Sequence, residues 1–249
     1  LKQHVGIVNY LNTKPLLAGL HQSEVSTQMI IHELNPAECA EWMHNAKLDI
    51  ALVPIAFLLD DPTVKTFSNY GIGCSGQVRT VCLVSNSPVE NLSFIHLDNH
   101  SKTSVKLLQI LLNEFWKVDI PTKPAEISAC HLSKNEGMLI IGDKAFELYN
   151  EFPYVYDLGE IWKEFTGLDF LFARWVSREP LSTTFIAEFD KAQNAGIQQI
   201  DRIIKKFSSY YPRVDLARYY DQNIEFEIND SMRKSMDLYL SKLSSPALI

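Results

Sequence analysis

Three short polar segments each follow an apolar run and open a helical one: Asn12-Thr13-Lys14-Pro15, Ser101-Lys102-Thr103-Ser104 and Gly142-Asp143. Where a strand runs into a helix, the first backbone N–H groups lack helical partners and carry the positive end of the helix dipole. Amide, hydroxyl and carboxyl side chains placed there either cap the helix or join the free N–H groups in holding an anion such as a carboxylate. Spacing alone leaves both uses open at each junction. Other chemistry finds less support. Residues 71–76 spell G-x-G-x-x-G, but they stand before a strand, whereas a dinucleotide fingerprint needs a strand before it and a helix after it; the segment reads as a flexible turn. His96 and His100 flank Asp98 at a spacing that could hold a metal on a helix, yet a strand and a turn occupy this stretch, so they read as surface histidines. No G-x-S-x-G, H-E-x-x-H or Walker segment occurs, which leaves covalent hydrolase and nucleotide-hydrolase chemistry without a motif.

The elements that must position these junctions follow from hydrophobic periodicity. Strand-like runs fall at 5–10, 28–32, 48–53, 79–85, 94–97, 138–141 and 168–177. Helical runs begin near Pro15, at Asn35-Pro36, after Pro54, at 101–103 and at Lys144. In the fourth, Val105, Leu108, Leu112 and Phe115 keep the helical period. After Pro180 the chain reads as helical apart from 223–228. Strand–helix–strand alternation predicts an α/β protein with mostly parallel sheets. The apolar strands at 79–85 and 168–177 bracket a complete α/β unit. That predicts two lobes: 1–84 with 173–249 as a discontinuous first lobe, and 85–172 as an inserted second. Ligands of such sheets bind beyond the carboxyl ends of the strands.

The 249 residues are 46% hydrophobic and 21% charged, an ordinary globular balance. The formal net charge of −7 argues against nucleic acid and anionic membranes as partners, because both demand basic patches. No apolar run approaches the roughly 18–20 residues that span a bilayer. Cys39, Cys74, Cys82 and Cys130 are scattered, with no C-x-x-C pair, and read as free thiols suited to a reducing cytoplasm.

Several segments, in order, resemble the chorismate dehydratases of menaquinone biosynthesis. Residues 10–16, Tyr-Leu-Asn-Thr-Lys-Pro-Leu, are similar to that family's Y-L-N-x-x-P-L, and 49–54 to its D-I/V-A-L-V-P. Gly76-Gln77-Val78-Arg79-Thr80 resembles G-P-V-x-S, and Ser101-Lys102-Thr103-Ser104-Val105 resembles S-R-T-S-V. Ile141-Gly142-Asp143, the segment 156–163 (YDLGEIWK) and 166–175 resemble I-G-D, Y-D-L-G-x-x-W-K and T-G-L-P-F-V-F-A-x-W. The resemblance implies a type II periplasmic-binding-protein-like fold, with mixed sheets flanked by helices and a ligand cleft between the lobes. It implies a cytoplasmic hydro-lyase, a monomer or homodimer, that converts chorismate to 3-[(1-carboxyvinyl)oxy]benzoate and water on the futalosine route, with no organic cofactor and no metal. The partner is a small dianion; no nucleic acid or membrane is implied. Carried onto this chain, Asn12 and Thr80 are the catalytic candidates, and Tyr10, Gly76, Thr103, Ser104, Gly142 and Asp143 the substrate-binding ones. Asp143 serves equally well as a helix N-cap. Three departures bear on the candidate residues. Thr80 keeps the hydroxyl of the usual Ser with a stiffer rotamer, Gln77 replaces Pro, and Lys102 replaces Arg and loses the bidentate fork.

No His, Cys or Lys in these segments stands out as a base, so the substrate's enolpyruvyl carboxylate is expected to take the proton. Two other readings share the fold: a non-catalytic solute-binding protein for a small carboxylate, and the sister enzyme 1,4-dihydroxy-6-naphthoate synthase.

Overall fold

A computed structural model describes residues 2–98, 102–125 and 132–244. In chain order the elements are β1 (Gln3–Val8), α1 (Lys14–Gln22), β2 (Met29–Leu34), α2 (Pro36–His44), β3 (Ile50–Pro54), α3 (Phe57–Asp60), β4 (Lys65–Cys74), β5 (Val81–Ser85), β6 (Phe94–Asp98), α4 (Lys102–Ile110), β7 (Thr122–Ala125), β8 (Glu136–Ile141), α5 (Lys144–Leu148), β9 (Tyr154–Asp157), α6 (Leu158–Thr166), β10 (Phe170–Ser177), α7 (Thr183–Ile197), α8 (Ile200–Phe207), α9 (Leu216–Arg218), β11 (Glu225–Glu227) and α10 (Asp230–Leu243). They divide into two compact units, Leu1–Gly73 with Leu171–Asn229, and Cys74–Phe170 with Asp230–Ile249.

The first unit is built on a mixed sheet of order β11-β4-β10-β3-β1-β2. β1 pairs in parallel with β2 and β3, so each connection must cross over the sheet, and α1 and α2 make those crossovers. α2 starts where the sequence predicts. Asn35 accepts from the Glu38 N–H at 2.8 Å and the Glu38 carboxylate accepts from the Asn35 N–H at 3.1 Å, a complete capping box ahead of Pro36. The buried side of β10 is tied to two helices by polar groups. The Trp175 indole N–H donates to Gln193 Oε1 at 3.2 Å, and the Gln193 amide reaches the Leu16 carbonyl at 3.5 Å.

The second unit has a mixed sheet of order β7-β6-β8-β5-β9. β6 runs parallel to β7 and β8, while β5 is antiparallel to β8 and β9. Trp162 of α6 is fully buried; its indole N–H donates to Ser235 of α10 at 2.8 Å, and its ring meets Phe170 and Tyr239 edge-on.

Four expectations are corrected. Residues 71–76 are not a turn throughout, because β4 continues to Cys74. A Cβ on Gly71 would lie 2.6 Å from the Ala173 carbonyl oxygen of β10, so that glycine serves close strand approach. β4 therefore carries the chain out of the first unit, and the division falls at 73/74 and 170/171, with β5 wholly in the second unit. Helix α10 lies with the second unit rather than the first, held by the Trp162–Ser235 bond and by Tyr239. At the start of α1 neither Asn12 nor Thr13 caps the helix. Thr13 bonds backwards instead, its hydroxyl donating to the Tyr10 carbonyl at 2.8 Å and to that of Val8. Cys39, Cys74 and Cys82 are buried free thiols, as expected; Cys130 and His100 lie outside the described residues.

α1 and α7 cross with backbones nearly touching. A Cβ on Gly196 would fall 2.0 Å from the Pro15 carbonyl oxygen, and one on Gly19 2.0 Å from that of Ala192. Because backbone cannot yield as a side-chain tip can, Gly196→Ala should lower the unfolding free energy by about 1–3 kcal/mol, the usual range for overpacking. Urea unfolding measures this, and an unchanged midpoint would show that the two helices separate freely.

Candidate functional site

In the first unit, β1 delivers the chain to a short 3-10 turn, Leu11–Thr13, and then to α1. The main chain of this junction is held from three sides. The Asn9 N–H donates to the Leu34 carbonyl at 2.8 Å, Thr13 bonds back to Tyr10, and the Tyr220 hydroxyl donates to the Leu11 carbonyl at 2.6 Å. Tyr10 precedes the turn in extended conformation and is half-buried. Asn12 is half-buried, and among the described residues its side-chain amide has no hydrogen-bond partner in the protein. A fixed backbone that presents an uncommitted donor and acceptor is what a polar ligand contact requires. The neighbouring Lys14 is not similarly available, because its ammonium pairs with Glu33 at 2.8 Å and with the Asn9 side chain.

In the second unit, strand topology gathers the remaining candidates. β6 and β8 are parallel neighbours and end on the same edge of the sheet; β5, antiparallel to β8, begins there with Val81 opposite Ile141. The residues before β5 and after β6 and β8 thus share one sheet edge. Thr80 and Gly142 are joined directly, the Gly142 N–H donating to the Thr80 carbonyl at 2.8 Å. Thr80 is only 2% exposed, and its hydroxyl makes a long 3.4 Å contact with the Val78 carbonyl, too weak to commit it. Gly76 and Gly142 both adopt positive φ. Asp143 precedes α5, but its carboxylate makes no capping bond to that helix, so the N-cap role does not hold. Thr103 and Ser104 open α4 and are buried, the Thr103 carbonyl accepting from the Tyr239 hydroxyl at 3.0 Å. Within this unit the structure brings Thr80 and Gly142 into contact and sets Gly76, Asp143, Thr103 and Ser104 along the same edge. Tyr10 and Asn12 belong to the first unit's junction.

Two residues beside Thr80 are not among the candidates drawn from the motifs that contain them. Asp157 is the N-cap of α6, accepting from Gly159 and Glu160, and it also accepts from the Val78 and Arg79 N–H groups. Burial pushes its carboxyl up to about 6 against those four donors. Arg79 holds a left-handed φ of 62°, uncommon outside glycine. Its guanidinium lies 4.6 Å from the Tyr149 ring centre, and its buried Nε has no hydrogen-bond partner among the described residues. The signal for Asp157 lay in the sequence, as an acid closing an apolar run directly before Leu-Gly-Glu. The left-handed Arg79 had none.

Burial pushes the Cys39 thiol up to about 12 and those of Cys74 and Cys82 well above their ordinary value, so these thiols stay protonated and inert. Among the described residues no group of three or more His, Cys, Asp or Glu side chains is placed to hold a metal ion. His96 faces Glu136 at 3.4 Å, within the sheet. Among the described residues no helix is long and apolar enough to cross a membrane.

A chorismate dehydratase of Thermus thermophilus is 23% identical over 97% of this chain and 95% of its own length. One of Campylobacter jejuni is 37% identical over a shorter stretch, 29% of this chain and 34% of its own. Among solved structures, an Archaeoglobus fulgidus protein superposes with a TM-score of 0.74 at 14% identity, covering 100% of this chain and 98% of its own. The periplasmic aliphatic sulphonate binding protein of Escherichia coli superposes with a TM-score of 0.60, also at 14% identity, over 98% of this chain and 94% of its own. The fold is therefore that of the periplasmic binding proteins. The family model for menaquinone biosynthesis matches residues 3–245, and this chain belongs to that family.

Proposed function

We propose that this chain is a chorismate dehydratase, forming 3-[(1-carboxyvinyl)oxy]benzoate and water on the futalosine route in the cytoplasm. The observation that carries the reading is Asn12: a half-buried amide, uncommitted among the described residues, on a junction braced by Thr13 and Tyr220, in a chain similar to a chorismate dehydratase from end to end.

The reaction removes the proton on ring carbon 3 and hydroxide from carbon 4. The C3–H electron pair becomes the new ring double bond as the C4–O bond breaks, and proton and hydroxide leave as water. Aromatisation supplies the driving force, so the protein's task is to orient the substrate and steady developing charge. Chorismate carries two carboxylates. The N-termini of α1 and α4, each of nine residues, suit such groups without unpaired lysines. In this reading Asn12 hydrogen-bonds the substrate and stabilises charge on it, and the Thr80 hydroxyl contacts the substrate or the departing hydroxide. Tyr10, Gly76, Thr103, Ser104, Gly142 and Asp143 shape its binding. The buried thiols are too poorly acidic to serve as a base, and Lys14 is held by Glu33, which favours the substrate's own enolpyruvyl carboxylate as proton acceptor.

The test is to mix the purified protein with chorismate and separate the products by chromatography and mass. Enzyme-dependent 3-[(1-carboxyvinyl)oxy]benzoate is expected, and chorismate left intact would overturn the reading. Asn12→Ala should lower kcat by about 100-fold, as removal of one charge-stabilising donor does, with an unchanged melting temperature. A variant that turns over normally would remove Asn12 from the mechanism. Thr80→Ser should remain active and Thr80→Val should fall by at least ~10-fold, since only the hydroxyl is asked to act. Equal rates for the two would show that the hydroxyl has no part.

A further inference from the structure

The carboxylate of Asp157, only 2% exposed, lies where two segments of the second unit meet. Its Oδ1 accepts from the Gly159 N–H at 3.0 Å and the Glu160 N–H at 3.2 Å, in the first turn of α6. The same oxygen accepts from the Val78 N–H at 3.1 Å, and Oδ2 accepts from the Arg79 N–H at 2.6 Å. Arg79 sits in left-handed backbone that a residue with a Cβ holds only when its surroundings enforce it. The short bond from its N–H to Asp157 is such an enforcement. The next residue is Thr80, whose carbonyl is fixed on the other side by the Gly142 N–H at 2.8 Å.

We propose that Asp157 is a positioning residue for Thr80: its ionised carboxylate, acting through the Val78 and Arg79 amides, holds the turn that aims the Thr80 hydroxyl. The inference rests on the dehydratase reading above and adds to it a residue that touches no substrate. It follows that protonating Asp157 slackens the turn while the carboxyl itself stays buried, since a neutral carboxyl is a poorer acceptor for four donors. Burial raises this carboxyl to about 6, which places the release just below neutral pH. Three of the groups that face it do not titrate with it: Cys74 on β4, Cys82 on β5 with its sulfur 4.0 Å from Oδ2, and Tyr149 after α5 are all raised by burial and stay neutral. The Arg79 guanidinium lies over the Tyr149 ring, 4.6 Å from its centre. The remaining neighbour, the exposed Glu160, accepts from the half-buried Gln77 amide at 3.0 Å.

The sign separates this effect from acid unfolding. A carboxyl raised above its unfolded value binds its proton more tightly in the folded state. Its contribution to stability is therefore present below the ordinary carboxylate range and lost as pH rises through about 6. Lowering the pH through this window strengthens that contribution while turnover falls.

The experiment follows kcat for chorismate from about pH 5 to about pH 8 in the natural protein and in Asp157→Asn, with hydrogen exchange of the Val78 and Arg79 amides over the same range. In the natural protein kcat should fall ~10-fold per unit below about pH 6, as one proton dictates, with KM little changed and both amides losing protection in step. Asp157→Asn should be at least ~10-fold slower at neutral pH, without the acid limb. A variant that merely melts earlier, while its folded fraction keeps the natural rate and acid limb, would overturn the proposal. So would amides of the natural protein that stay protected through pH 6, an outcome that needs no variant to fold. Absence of product at every pH would instead overturn the dehydratase reading, while the exchange data still decide whether Asp157 governs the turn.

Discussion

Four backbone N–H groups converge on one buried carboxylate, and much of the second unit is arranged around that convergence. Asp157 ends β9, begins α6 and holds the turn into β5. Two consecutive elements, β9 and α6, and a turn distant from them in sequence are thereby fixed to a single pair of oxygen atoms. The burial that makes the site expensive for a charge also makes each bond to it strong, because few waters compete. Gly159 allows α6 to approach this closely; a Cβ there would meet the Cys74 sulfur and the Gly76 carbonyl, each at 2.6 Å. The edge that carries Thr80 and Gly142 is consequently rigid at one end through Asp157 and at the other through β8.

The first unit reaches a comparable end by other means. Its junction after β1 has no cap, and Thr13 spends its hydroxyl on carbonyls behind it. Tyr220, from a distant part of the chain, grips the carbonyl of Leu11. Between these two fixtures Asn12 has nothing in the described protein to bond to. In both units the backbone is immobilised by buried polar bonds and a small polar side chain is left over. Under the proposed function, such groups stabilise charge with fixed dipoles and need no strongly shifted acid or base in contact with the substrate.

How much of this was legible in the sequence depended on whether the cause was local. The strand-to-helix junctions at 12–15, 101–104 and 142–143 showed in the change of hydrophobic period, and the Asn35 capping box is written in four consecutive residues. The alternating strands and helices gave the α/β class. The end of β4 reads as a turn because Gly71 and Gly73 look like turn residues, and only the nearby β10 backbone explains Gly71. The unit boundaries shifted for the same reason. Helix α10 has an ordinary amphipathic pattern that does not say which core it will join; the Trp162–Ser235 bond decides that. The grip of Tyr220 on the Leu11 carbonyl and the left-handed Arg79 held by Asp157 are also set by partners far along the chain, and local pattern holds no trace of either.

The claim on which the rest turns is that the protein supplies geometry while the substrate supplies the base. Offering the protein chorismate with only its enolpyruvyl carboxylate masked as a methyl ester, and following both thermal protection and product, tests it directly. If the substrate carboxylate takes the proton, the ester will protect the fold against heat and emerge unconverted under conditions where chorismate is consumed. Conversion of the bound ester at a rate close to that of chorismate would mean that a group of the protein removes the proton, and would contradict the claim.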